Sequence, residues 1–227
     1  MKDIEIKKVS CGILYDYSFS LLDCWGEIAD SILYNNKYFN VEYFPNINHQ
    51  YTTERALYNK KTENQLRISA NNLIFTHNIE SDFNDEFQFF MKRTAEFLVP
   101  QIIEKKKLAV NRIGIVFECK IEEEKYRCFK QKYFKDEMDG IYDFRFAKRE
   151  TTTIGEMWKN RSDYVNKIYT VGAPADGKYM FSYDYQRFFI PGHKYISDDI
   201  NKILLTGKKE LIDELKTGVI GINSNEK

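Results

Sequence analysis

The sequence predicts an α+β fold: an antiparallel sheet with long helices on one face, built from two βαβββα-like halves over residues 1–107 and 108–218. Three observations carry this. Residues 82–107 place Phe83, Phe87, Phe90, Leu98 and Ile102 three or four apart or in register with that spacing, with Met91 and Ala95 beside them, which is one broad apolar helical stripe. Val110–Ile121 then alternates, with Ile113, Ile115, Phe117, Cys119 and Ile121 on one face and Arg112, Gly114, Val116, Glu118 and Lys120 on the other, as in a strand covered on one side and more open on the other. The order strand, helix, two or three strands, long helix occurs twice along the chain, although no residue-level repeat accompanies it.

In order, residues 4–14 read as a first strand with Ile4, Ile6, Val9 and Ile13 as its apolar members. Ser18 or Ser20 is expected to cap a helix reaching Tyr34, with Leu21, Leu22, Trp25, Ile28, Ala29 and Ile32 inward and Asn35-Asn36 ending it. Residues 38–44 alternate up to Pro45, and a further strand is expected around residues 56–58. Residues 65–69 and 73–78 flank Ala70-Asn71-Asn72; asparagine tolerates positive φ, so they read as a hairpin. Pro100 is expected to kink the long helix or split off its last turns.

After the central strand, residues 122–137 form a charged helix with Tyr126, Phe129, Tyr133 and Phe134 inward, and Asp139-Gly140 turns into a strand over residues 141–147. A polar connection over residues 151–163 contains a helical turn near Glu156-Met157-Trp158. Residues 167–171 and 179–190 flank Asp176-Gly177, a strong hairpin signal, and Pro191-Gly192 stops the second run. Ser197, Asp198 and Asp199 open the last helix, whose stripe is Ile200, Ile203, Leu204, Leu211 and Leu215, with Gly207 as a break. Residues after Gly218 read as loose.

A chain of 227 residues is long enough to bury a sizeable core. Lys plus Arg and Asp plus Glu are both 34, so the chain lacks the basic excess that neutralising many phosphates requires, and generic nucleic-acid binding is disfavoured. The cysteines at 11, 24, 119 and 128 have no metal-ligand spacing, and free thiols in a reducing, cytoplasmic compartment are the expectation. The N-terminal residues lack the apolar core of a signal peptide, and no window has the apolar length of a membrane span.

For chemistry, the sequence is sparing. His49, His77 and His193 each stand alone in their segments and read as structural or surface groups. There is no nucleophile elbow, zinc-protease helix, phosphate loop or dinucleotide fingerprint; Thr206-Gly207-Lys208-Lys209 lacks the upstream glycine and strand of a phosphate loop. The runs Lys105-Lys106-Lys107 and Glu122-Glu123-Glu124 read as solvated helix ends. The candidate binding residues are Arg112 and Glu118 on the far face of the central strand, with Asp184, Arg187, Tyr183 and Tyr185 on the late hairpin. The aromatic row Tyr179, Phe181, Tyr183, Tyr185 and Phe189 is core if helices cover it and a contact surface if it is open, and the core reading is favoured.

The order "hairpin, long helix, Arg-Ile-Gly-hydrophobic strand, later hairpin, Asp-containing strand, final helix" resembles a sporadically distributed bacterial family of unknown function. Its members carry an Arg-Ile-Gly-Leu-Arg-Tyr-like strand after a long helix. The matching residues here are Arg112-Ile113-Gly114-Ile115, and Val116-Phe117-Glu118 replaces the usual continuation. The resemblance spans residues 65–215 and implies the architecture alone, since the family carries no established activity to transfer. The functional expectation is a non-enzymatic cytoplasmic interaction protein, a subunit or adaptor that binds another protein or itself through an open sheet face, without a cofactor. The alternative is a metal-dependent phosphodiesterase or nuclease-like hydrolase that gathers Glu118, Asp143 and Asp184.

Overall fold

Alternation in the sequence becomes a nine-stranded antiparallel sheet in the order β2-β3-β4-β5-β1-β6-β9-β8-β7. The structure, a computed structural model, describes residues 4–34, 39, 43–45, 54–133, 144–151, 164–175, 177–189 and 197–220. The strands are β1 (Ile4–Tyr15), β2 (Tyr43–Pro45), β3 (Glu54–Asn59), β4 (Gln65–Ser69), β5 (Asn72–Asn78), β6 (Val110–Ile121), β7 (Phe144–Thr151), β8 (Tyr164–Ala175) and β9 (Lys178–Phe188). The helices are α1 (Ser20–Asp23), α2 (Trp25–Leu33), α3 (Phe83–Met91), α4 (Glu123–Tyr133) and α5 (Ser197–Ile220). A π-helical segment, Lys92–Glu104, continues α3 without interruption. This is an α+β fold with the helices on one face of the sheet.

Strands β1 and β6 form the seam between the two halves. Each is the first strand of its half and lies beside the last strand of the same half, β5 for β1 and β9 for β6. Across the seam Val9 faces Phe117, Cys11 faces Ile115 and Ile13 faces Ile113, and all six are buried. The same face continues through Leu73 and Phe75 on β5, Leu66 and Ile68 on β4, and Tyr179, Phe181, Tyr183 and Tyr185 on β9. One continuous apolar cluster follows, and it takes in Leu21, Ile28 and Ile32 of α1 and α2.

Several local expectations change. The first helix is interrupted at Cys24, and Phe19, not a serine, stands at its N-cap. The hydroxyls of Ser18 and Ser20 bond each other at 3.0 Å instead of capping it. The β4–β5 turn needs no positive φ at asparagine. The Ser69 hydroxyl accepts from the amides of Asn71 and Asn72 at 3.3 and 3.1 Å, and this local bonding closes the turn. Tyr15 reinforces it by donating toward the Ser69 and Asn72 carbonyls at 2.8 and 2.9 Å. In the β8–β9 hairpin, Gly177 does adopt φ 75°, the left-handed region that glycine enters at no steric cost.

The long helix starts as expected, with Asp82 accepting from the amides of Asn84 and Asp85. It is not split at Pro100. The winding widens from Lys92 onward and passes through the proline, ending with the Leu108 amide on the Ile103 carbonyl, five residues back. The Thr94 hydroxyl donates to the Phe90 carbonyl at 2.9 Å, the acceptor that α-winding would give to the Thr94 amide. The wider winding buries more of the segment than a 3.6-residue stripe does: Arg93, Thr94, Phe97, Val99 and Ile103 join Ala95, Leu98 and Ile102. Lys107 ends it at φ 53°.

Gly207 does not break α5, which runs on to Ile220. A Cβ there would stand 2.4 Å from Cγ2 of Ile115 and 3.4 Å from Cβ of Tyr185, so the glycine lets the helix lie close against β6 and β9. Helix α4 is held by ring stacking, Tyr126 on Tyr179 at 4.0 Å and Phe129 on Phe181 at 4.7 Å. The Tyr133 side chain, Phe134, Asn35-Asn36, Asp139-Gly140, Glu156-Met157-Trp158 and Pro191-Gly192 lie outside the described residues.

One polar array is buried beneath α3. His77 on β5 has the parity of Leu73 and Phe75, so its ring points into the core and is 2% exposed. Its Nε2 lies 2.7 Å from a Glu86 carboxylate oxygen, and Ser81 donates to the other oxygen at 2.8 Å. Arg93 reaches the Nδ1 side at 3.5 Å, with its guanidinium 3.9 Å from the centre of the Phe89 ring. Burial holds the His77 imidazole below its ordinary value; the Glu86 bond opposes this and Arg93 adds to it. The sign follows. As pH falls through about 6.5 the unfolded chain binds a proton at His77 more readily than the folded chain does. Stability from this site is therefore complete above that pH and falls as pH drops below it, by at most about 1.4 kcal/mol per pH unit. Urea titrations from pH 7.5 to 5.5 are expected to show this slope in the native chain and not in His77→Gln; equal slopes in both would refute it.

Candidate functional site

The face of the sheet opposite the helices carries the polar half of every alternating strand. Among the described residues no helix packs on it. Lys8, Ser10, Gly12 and Leu14 of β1 lie beside Arg112, Gly114, Val116, Glu118 and Lys120 of β6, and these beside Met180, Ser182, Asp184, Gln186 and Phe188 of β9. Several of these side chains are already engaged with each other. Lys8 pairs with Glu118 at 2.8 Å, Ser10 donates to the Thr76 hydroxyl at 3.0 Å, and the Arg112 guanidinium lies 5.6 Å from the Phe188 ring centre.

At the centre, Gly12 pairs directly with Gly114, and Gln186 flanks Gly114 on β9. The two glycines lie in a regular stretch of ladder, since the register shifts of this pair fall at Ile6/Lys8 and Leu14/Tyr15. A bulge is therefore not their reason. Nor is internal packing: a Cβ on Gly12 meets nothing within 4 Å, and one on Gly114 meets only ordinary contacts, Gln186 Cγ at 3.5 Å and Asp184 Oδ1 at 3.6 Å. Glycine inside a strand also marks places where another backbone or a ligand approaches closely. They leave two adjacent positions of the open face without a side chain.

Asp184 lies beside them, its Oδ1 3.6 Å from where a Cβ on Gly114 would stand. Gln186 donates its side-chain amide to one carboxylate oxygen, and the other, Oδ1, is buried without a hydrogen-bond partner. Burial raises the Asp184 carboxyl above its ordinary range, against the pull of the Gln186 bond and of the charges on Arg112 and Arg145. Arg145 lies on the same face, since it pairs with Thr170, which pairs with Ser182. Neither arginine has an ion-pair partner among the described residues.

Of the candidates from sequence, Arg112, Glu118 and Asp184 share this open face. Tyr183, Tyr185 and Arg187 have the opposite parity and do not. Tyr183 is fully buried and donates to Glu210 of α5 at 2.8 Å, Tyr185 is 7% exposed, and Arg187 faces Ile113 and Val165, its guanidinium 5.7 Å from the Phe189 ring. The Glu210 carboxylate also holds Lys167 at 2.9 Å, and Lys167 reaches Glu150 at 2.9 Å, so the aromatic row is fastened under α5 by ions as well as by apolar contact. Burial acts to lower the Lys167 ammonium, and its two carboxylate bonds outweigh this and raise it.

Of the three acids named for a metal site, Glu118 and Asp184 are diagonal neighbours on the open face. Glu118 faces Ser182 and is paired to Lys8, Asp184 faces Val116, and Asp143 lies outside the described residues, as do His49 and His193. Among the described residues no group of three His, Cys, Asp or Glu side chains is placed to hold a metal ion. Sequence reasoning passed over Gly12 and the His77–Glu86–Arg93 array. Gly12 was findable, because it occupies the polar parity of its strand as Gly114 does; that the two meet depends on register. No helix among the described residues is long and apolar enough to cross a membrane. Set against known proteins, the chain matches no protein-family model and no curated protein sequence.

Proposed function

We propose that the chain is a binding protein, without catalysis of its own, that engages another protein or a second copy of itself through the open face of its sheet. The observation that supports this best is the Gly12–Gly114 pair: two residues without side chains at the centre of a face that no described helix covers, at positions where neither a bulge nor internal packing requires glycine. Mixed polar and apolar side chains around it, among them Leu14, Val116 and Phe188, match the make-up of a protein-binding surface. The reading puts the chain in a reducing compartment, the cytoplasm, supported by four cysteines of which none is bonded; a native disulfide found by mass spectrometry would count against it.

The test is site-specific photo-cross-linking in cells that make the protein. A photoreactive residue replacing Ser182, on the open face, is expected to give a discrete protein adduct. The same residue replacing Lys209, exposed on the outer side of α5, is expected to give none. Adducts from position 209 alone, or from neither position, would overturn the proposal.

A further inference from the structure

We infer that His77 is a proton-sensitive latch: while neutral it holds Arg93 of the π-helical segment against β5, and on taking a proton it pushes Arg93 out past Phe89 and loosens the edge strand β2. The inference is independent of the open face. Hydrogen-bond roles fix the resting state. Nε2 lies 2.7 Å from a carboxylate oxygen of Glu86; an ionised carboxylate only accepts, so Nε2 carries the hydrogen. Nδ1 lies 3.5 Å from a guanidinium nitrogen of Arg93, which only donates, so Nδ1 offers its lone pair. The imidazole is thus a neutral bridge between an anion and a cation. A further proton has one place to go, Nδ1, and there it stands against the Arg93 charge.

The surroundings decide which side gives way. The charged and titratable groups around the ring are Glu86 of α3, Glu80 in the connection before α3 and Arg93, with Tyr43 of β2 next beyond Arg93. Both carboxylates attract the protonated ring, so Arg93 is the group displaced. Its way out is short: the guanidinium lies 3.9 Å from the centre of the Phe89 ring, and Phe89 is 40% exposed. What Arg93 lets go is β2. It donates toward the Tyr43 hydroxyl at 3.4 Å and lies 5.3 and 6.0 Å from the Phe39 and Tyr43 ring centres. Strand β2 has three residues and, among the described residues, one strand neighbour, β3. Tyr43 also bonds Asn64 and is buried, so the strand loosens and does not leave.

Nuclear magnetic resonance of the full chain tests this, and three histidines keep the imidazole spectrum legible. At pH 7.5 the His77 signals, assigned by their loss in His77→Gln, are expected to show hydrogen on Nε2 and an unprotonated Nδ1. Toward pH 5.5 Nδ1 is expected to take the proton, and the Arg93 guanidinium signal to shift with the same midpoint. The Tyr58 amide reports on β2. Its neighbour Asn59 donates to Asn64 at 2.9 Å, away from β2, so by alternation Tyr58 points toward Phe44. Tyr58 exchange, corrected for the intrinsic effect of pH, is expected to quicken by up to about tenfold per pH unit below about pH 6.5, and not in His77→Gln. It is also expected to be faster than exchange in β9 and nearly insensitive to dilute urea, as a local opening is. In Arg93→Gln, which removes the opposing cation, His77 is expected to titrate at higher pH and the acid response of Tyr58 to vanish. Hydrogen on Nδ1 at pH 7.5, a His77 titration that leaves Arg93 and Tyr58 unmoved, an unchanged midpoint in Arg93→Gln, or a Tyr58 rate and urea slope equal to those of β9 would each overturn the inference.

Discussion

Phe117→Ala is expected to destabilise the chain by about 3–5 kcal/mol in urea titration, a large share of the stability of an ordinary domain. The ring is fully buried on β6. It stacks on Phe87 of α3 at 6.0 Å between centroids and meets the edge of Phe83 at 6.3 Å. It also faces Val9 across the seam, so its removal leaves a cavity that three elements would have to collapse to fill. Glu118→Ala, one residue along, removes a carboxylate from the open face. Its partner Lys8 and Glu118 itself are both more than a third exposed, and such a pair contributes about 0.5 kcal/mol or less after screening. The contrast is the test, since a register slip of one residue would invert it. Comparable losses in the two variants would mean that the far face is buried as well, and no binding face would remain.

The second large effect is Gly207→Ala, for which two principles disagree in sign. Helix propensity alone favours alanine by about 1 kcal/mol in a helix interior. Packing opposes it: the new methyl would stand 2.4 Å from Cγ2 of Ile115, which belongs to a β-branched, fully buried side chain with no room to rotate away. Overpacking a close-packed core costs about 1–3 kcal/mol, and an overlap of this depth belongs at the upper end. The net expectation is a loss of about 2 kcal/mol, read as a lower melting temperature and urea midpoint. A rise in melting temperature would show that α5 does not lie so close to β6.

That glycine also shows where sequence reading stopped. In the sequence Gly207 looked like a helix break, because propensity is local, while its actual reason, the approach of α5 to Ile115, is a contact between residues far apart in the chain. Pro100 is similar. Its missing amide argued for a kink or a split, and the helix runs on through it within a π-helical segment that begins at Lys92. By contrast, the strand Val110–Ile121 and the stripe Ile200, Ile203, Leu204, Leu211 and Leu215 were legible residue by residue, since period 2 and period 3.6 are written directly into the apolar positions. Parity also separates Asp184 from Tyr183 and Tyr185, and applied strictly it removes the two tyrosines from any open-face site. What parity does not supply is register between strands. Without it Gly12 and Gly114 are two isolated glycines, and His77, Glu86 and Arg93 are three unrelated polar residues.

The seam has a consequence for how the protein is made. Strand β1 is synthesised first, yet one of its two neighbours, β6, follows only after the whole first half. While β2 to β5 and α3 assemble, the outer edge of β1 presents unpaired amides and carbonyls next to Val9, Cys11 and Ile13. Such an edge is a template for any strand that reaches it, including β1 of another nascent chain. Pairing β1 with β6 closes the largest loop in the sheet, so completion of the sheet is slow relative to formation of either half. Misassembly during translation therefore has an exposed starting point on β1, and it lies at the middle of the finished sheet, where β1 is no longer an edge.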